Sequence, residues 1–211
     1  MYCRLVVAVA KDLQSDFYPK FTSFFARLVD LLQTKEPEII EWTFTTLAFL
    51  YKYQWRALVK DIERVYDLQL PLLASDKPEH VQLFASESFA FIGRKISNKE
   101  SFVNLVFSKL HSNPRDSQGV GQLLFQVVKG VKCQFHSNID VYLPLYLKAV
   151  ADMTECVENY SIFKAVEHCF LLMARHTNAS FAGQSWKLLL VSQKLEYQIL
   201  LDFSKSDNDF S

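Results

Sequence analysis

Four cations recur every four residues in this sequence: Lys52, Arg56, Lys60 and Arg64. On a continuous helix that spacing drifts slowly round one side and makes a strip that could contact phosphates. Asp61, Glu63 and Asp67 interleave with its far end, and a turn is expected near Gln54. A solvated face with i,i+4 ion pairs is therefore the favoured reading, and the phosphate strip the weaker one. Arg94-Lys95 and Lys129 with Lys132 stand late in expected helices, where cations suit the helix dipole without any partner.

Other residue types that carry chemistry are poorly arranged for it. Cys133-Gln-Phe-His136 and His168-Cys169 hold metal-ligating side chains. A structural zinc site wants four ligands, usually as two tight pairs. Here there is one C-x-x-H pair, expected at a helix end, and one adjacent pair whose side chains leave a helix about 100° apart. Core cysteines and surface histidines account for both, and no metal is expected. Gly119-Val-Gly121 resembles the start of a phosphate loop, but Leu124 stands where the third glycine belongs and no strand precedes it. Close helix packing is the plainer reading. No serine or cysteine sits in a nucleophile motif, and the carboxylates are scattered along helix faces rather than paired. No catalytic residue and no cofactor is expected.

The elements that would position these residues are helices. Half of the 211 residues are hydrophobic and 14% are aromatic, which is enough for a substantial core and too much for a disordered chain. Five glycines and six prolines are too few for an all-β domain. Lys+Arg and Asp+Glu are both 23, so no bulk field draws the chain to nucleic acid or to an anionic membrane, although a local patch remains open. The apolar runs, such as Leu5–Ala10, are far too short to span a bilayer, and Met1–Ala10 is thin for a signal peptide. Cys3, Cys133, Cys156 and Cys169 are widely spread and read as reduced thiols of an intracellular protein. The sequons at Asn159 and Asn178 are read as unused on the same ground.

Periodicity predicts helices over Met1–Leu13, with Leu5, Val6, Val9 and Leu13 on one face, and from Phe17 to Gln33, capped by Ser15-Asp16. Thr34 is expected to cap a helix reaching Tyr53, apolar over most of its circumference and hence sandwiched between neighbours. A further helix is expected from Trp55 to Ala74, with Pro71 kinking it or splitting off a final turn. Pro78–Ile96, Ser101–Leu110, Gly119–Phe135, Ile139–Met153, Val157–Arg175 and Phe181–Phe203 follow, with a turn at Asn113-Pro114 and a polar, frayed tail over residues 204–211. Ala85, Ser88 and Ala90 are small enough to let neighbouring helices approach closely. Pro37 and Pro78, each opening an apolar helix, lie 41 residues apart, the period of a two-helix repeat. The expected fold is all-α: a right-handed α-solenoid segment of HEAT-type helix pairs over residues 1–203, with a compact bundle as the rival. Neither end carries a polar cap, which suggests a segment of a longer solenoid or partners at its ends.

Four collinear stretches carry a resemblance: Asp12–Phe21 (DLQSDFYPKF), Glu38–Ile62 (EIIEWTFTTLAFLYKYQWRALVKDI), Phe84–Lys99 (FASESFAFIGRKISNK) and Gly119–Val131 (GVGQLLFQVVKGV). Across them the sequence resembles part of the small-subunit processome component 20 family, also called down-regulated in metastasis proteins. The likeness covers Leu5 to about His136 and thins to helical pattern beyond Asn138. The resemblance implies a fragment from the N-terminal part of a very long HEAT-type solenoid, with Met1 either an internal methionine or the product of a truncated gene model. It also implies a nuclear, nucleolar, non-enzymatic scaffold for ribosomal RNA precursor processing. Its partners would be processome proteins and precursor RNA in a large ribonucleoprotein, with no membrane and no small-molecule substrate. The family offers no catalytic residues to carry over. The alternative from another class is a HEAT-type transport or trafficking adaptor that grips protein cargo.

Overall fold

The computed structural model describes residues 2–34, 36–111, 116–151 and 160–177. Every regular element among them is helical, apart from one isolated antiparallel bridge between Lys129 and Phe135. The turn expected at Asn113-Pro114, Cys156, Asn159 and Asn178 of the two sequons, the helix over 181–203 and the polar tail lie outside the described residues. The chain forms two compact units, Met1–Val106 and Phe107–Ser211.

The first unit is built on α3, Pro37–Lys60, which packs against α1 (Tyr2–Leu13), α2 (Phe21–Leu31), α4 (Ile62–Leu73) and α5 (Glu79–Lys95). In α1 the buried residues are Val6 and Ala10, whereas Leu5 is 61% and Leu13 48% exposed. The seam therefore lies one step round from the expected face. Ala10 is where α3 comes close, because the Gln54 side-chain amide donates to the Ala10 carbonyl at 3.2 Å. Ser15-Asp16 starts no α-helix. Gln14 takes a left-handed φ of 45°, and Gln14–Lys20 forms a 3-10 turn before α2 begins at Phe21. That turn buries Phe17 against the Phe24 ring and points the Tyr18 hydroxyl at Asp61, which accepts its hydrogen bond at 2.6 Å. Phe21, Phe25 and Leu28 then line the buried side of α2 at i, i+4 and i+7.

Helix α3 departs most from expectation. It runs 24 residues without a break, through the turn expected near Gln54. No glycine, and no proline after Pro37, interrupts the run, and Gln54 is buried with its amide on Ala10, so nothing there favours a turn. The break comes instead at Asp61, whose backbone leaves the helix at φ −117° and ψ 41°. Thr34 does not cap α3 either. Its hydroxyl accepts from the Glu36 N–H at 3.4 Å, and Pro37 opens the helix with no side-chain cap. Thr43, Thr46, Leu47, Leu50, Tyr51, Gln54 and Leu58 are buried. The two threonines are accommodated by returning their hydroxyls to the Ile39 and Trp42 carbonyls, both at 2.7 Å. Pro71 lies on the exposed side of α4, which continues to Leu73.

The small residues of α5 are buried as expected: Ala85, Ser88 and Ala90, joined by Ser86 and Gly93. Phe84 stacks on Phe44 of α3 at 4.3 Å, Phe89 meets Tyr66 of α4 at 5.2 Å, and Phe89 meets Phe102 of α6 (Lys99–His111) at 5.8 Å. Lys99 donates to the Arg94 carbonyl at 2.8 Å and to that of Gly93 at 3.4 Å, closing the end of α5.

In the second unit α7 (Ser117–Val128), α8 (Ile139–Ala151) and α9 (Tyr160–Thr177) pack on one another. Gly121 is the point of closest approach: a Cβ there would stand 2.5 Å from the Ala165 carbonyl oxygen and 2.8 Å from the His168 Cβ. Helix α7 ends at Val128, not at Phe135. The chain doubles back with Gly130 N–H donating to the Gln134 carbonyl at 2.9 Å and His136 N–H to that of Val128 at 2.8 Å. A side chain at Gly130 would meet the Gln134 carbonyl oxygen at 2.6 Å, so a glycine is needed there, and Val131 is left 77% exposed.

A Cβ at Gly93 meets only the tip of the Phe102 ring at 2.9 Å, whereas one at Gly121 meets backbone. Gly121→Ala is therefore expected to destabilise by about 1–3 kcal/mol, the usual scale for overpacking, and Gly93→Ala by less. Denaturant unfolding of the two variants checks the order.

Candidate functional site

The continuity of α3 decides where its cations go. Lys52, Arg56 and Lys60 fall on one exposed side of a single helix and span about 12 Å along its axis. Residues 42–60 contain no carboxylate. Aromatic rings stand among the cations. Phe49 and Tyr53 stack at 5.9 Å with 13° between their planes, and the Lys52 ammonium lies 5.8 Å from one centroid and 6.0 Å from the other. The Arg56 guanidinium is 5.0 Å from the Trp55 ring. Lys95, from the last turn of α5, reaches the same ring at 5.6 Å and Phe91 at 5.7 Å. Among the described residues, none of Lys52, Arg56, Lys60 and Lys95 forms an ion pair with a carboxylate.

Arg64 does not join them. It lies on α4, beyond the break, with its guanidinium donating to the Thr22 hydroxyl at 2.7 Å and standing 3.7 Å from the Asp61 carboxylate. Asp61 also holds the Tyr18 phenol, whose pKa is raised by partial burial and by that hydrogen bond. The four-residue recurrence thus breaks after its third member. Lys95 takes the fourth place from another helix, and only the aromatic neighbours Phe91 and Trp55 hinted at it in the sequence.

The remaining groups are not brought together. Cys133 is exposed in the reversal after α7, and His136 Nδ1 accepts the Asn138 N–H at 3.1 Å. Cys169 is buried in α9, 3.9 Å from the Met173 sulfur, and burial pushes its thiol pKa up. No cluster of three or more histidine, cysteine, aspartate or glutamate side chains among the described residues could hold a metal ion. Gly119 and Gly121 lie inside α7, with Gly121 against the backbone of α9 and not in a loop. No described helix is long and apolar enough to cross a membrane.

The fold and this face define an all-α protein whose described surface carries a row of cations braced on aromatic rings. No family model matches the chain. Two curated proteins do align with it. U3 small nucleolar RNA-associated protein 20 of Schizosaccharomyces pombe is 28% identical over 150 residues, covering 69% of this chain. The protein of the same name in Saccharomyces cerevisiae is 33% identical over 152 residues, covering 68% of this chain. The chain is a relative of these proteins, consistent with the small-subunit processome component 20 family. The aligned stretch is about 6% of the length of each.

His168, on the α7-facing side of α9, has its pKa lowered from 6.5, first by burial and then by Arg175, with Glu167 opposing. Between the two values the unfolded chain binds more protons than the folded one, so stability falls as the pH drops below about 6.5. Thermal melts at about pH 7 and about pH 5 should show this loss, and His168→Gln should flatten it.

Proposed function

We propose that this chain is a non-enzymatic scaffold segment that acts in ribosome biogenesis within the small-subunit processome, in the nucleolus. The observation that carries the reading is the homology to two proteins named for association with U3 small nucleolar RNA. The helical architecture supports it. Helices that bury small residues against one another, as α5 does with Ala85, Ser88 and Ala90 and α7 with Gly121, build rigid packed layers. We take residues 1–203 as HEAT-type pairs of a longer solenoid and 204–211 as a polar tail. Such arrays expose extended surfaces on which proteins and precursor ribosomal RNA can be held together. The mechanism is shape and contact, with no bond made or broken by the chain.

The test uses the full-length endogenous protein, tagged, with nuclear extract separated by sedimentation. The protein is expected to travel with large particles that contain small-subunit ribosomal RNA precursor and to leave those fractions when the particles are dismantled. A free protein, absent from the precursor fractions, would overturn the reading.

A further inference from the structure

We propose that the outward side of α3, extended by the end of α5, is a binding site for single-stranded RNA, with Lys52, Arg56, Lys60 and Lys95 meeting phosphates and Trp55 supporting a base. Three observations carry it. First, Arg56 of α3 and Lys95 of α5 meet at the Trp55 ring, Lys52 and Lys60 stand one turn to either side of Arg56, and residues 42–60 of α3 and 88–95 of α5 contain no carboxylate. A chain with zero net charge thus concentrates positive charge locally. Second, Lys52, Arg56 and Lys95 are positioned by aromatic rings and not by acids. A ring orients a cation without neutralising it, whereas a carboxylate would do both. Their charge therefore remains available to an anion. Third, the half-buried Trp55 ring stands beside both Arg56 and Lys95, the combination that suits a strand with phosphates on one side and an unpaired base on the other. An acidic peptide would complement the cations but has no use for the rings. A duplex keeps its bases stacked inside and could use only the charges.

The cationic face stands on geometry alone. The choice of RNA over other single-stranded polyanions rests on the function proposed above, and the experiment separates the two. Full-length tagged protein is photo-crosslinked in cells, and RNA adducts are mapped to peptides while the same extract is sedimented. Adducts are expected on peptides covering residues 49–60. A variant carrying Lys52→Ala, Arg56→Ala and Lys95→Ala should lose them about tenfold or more, since three of the four phosphate contacts go while the rings stay. Alanine keeps both helices intact, because it is the strongest helix former. The charge-matched variant Lys11→Ala, Lys20→Ala and Arg27→Ala, on α1, the 3-10 turn and α2, should leave them unchanged. Trp55→Leu gives a second variant with the charges kept and should also lower the adduct yield. Co-sedimentation with adducts absent from residues 49–60, or equally frequent in the triple variant, would overturn this inference and leave the scaffold reading standing. Protein crosslinks in place of RNA at these residues would overturn it in favour of an acidic partner. Adducts at 49–60 on a protein that never meets the precursor particles would support the RNA site and overturn the scaffold reading.

Discussion

The first unit depends on α3 being one helix. Its inner side carries Leu47, Leu50, Tyr51, Gln54 and Leu58, all buried and all in register only if no turn intervenes at Gln54. Two polar contacts define its extent. The Gln54 amide on the Ala10 carbonyl ties the middle of α3 to α1, and the Tyr18 hydroxyl on the Asp61 carboxylate sits at the point where α3 gives way to α4. A buried Gln54 amide that lost the Ala10 carbonyl would be left without its acceptor, at a cost of about 1–3 kcal/mol. Helix continuity is thus a matter of tertiary contact as much as of propensity. The outer side inherits its order from the same constraint, since residues at i and i+4 share a face only while the helix persists.

What that outer side presents is unneutralised charge. Exposed cation–π contacts and exposed ion pairs are of similar strength, each about 0.2–1 kcal/mol, so either could position a lysine. They differ in what they leave behind. Arg64, with Asp61 beside it, has part of its charge compensated and its fork occupied by Thr22. Arg56, with Trp55 beside it, keeps its charge. Two arginines on adjacent helices, read in the sequence as members of one strip, are thereby given opposite electrostatic characters.

The helical class and most element positions were legible because apolar periodicity and proline positions report them directly: Pro37 does open α3, Pro78 immediately precedes α5, and the small residues of α5 are buried. Boundaries set by tertiary contacts were not. Gln54 carries no sequence mark of the carbonyl it reaches 44 positions away, and Asp61 gives no hint that Tyr18 will fix the break there. The end of α7 was not legible either, because the apolar Val131 mimicked a continuing face through to Phe135. The cationic face was half legible. Lys52, Arg56 and Lys60 show themselves by spacing, whereas Lys95 joins them only through the packing of α5 on α3, and Arg64 leaves them only through the break. Gly121 was readable as close packing, because no strand or third glycine supported a phosphate loop, and the Ala165 backbone beside it gives that packing a definite partner.

The unbroken α3 is the claim on which the core register and the cationic face both stand, and amide hydrogen exchange tests it most directly. In one continuous helix the N–H groups from Tyr53 to Lys60 each bond to a carbonyl four residues back, so they should exchange as slowly as those of Leu47–Tyr51. A window of fast exchange centred on Gln54–Arg56, with slow exchange on either side, would mean that a turn divides the helix there. Lys52 would then lie on a different element from Arg56 and Lys60, and the account of this face would fail.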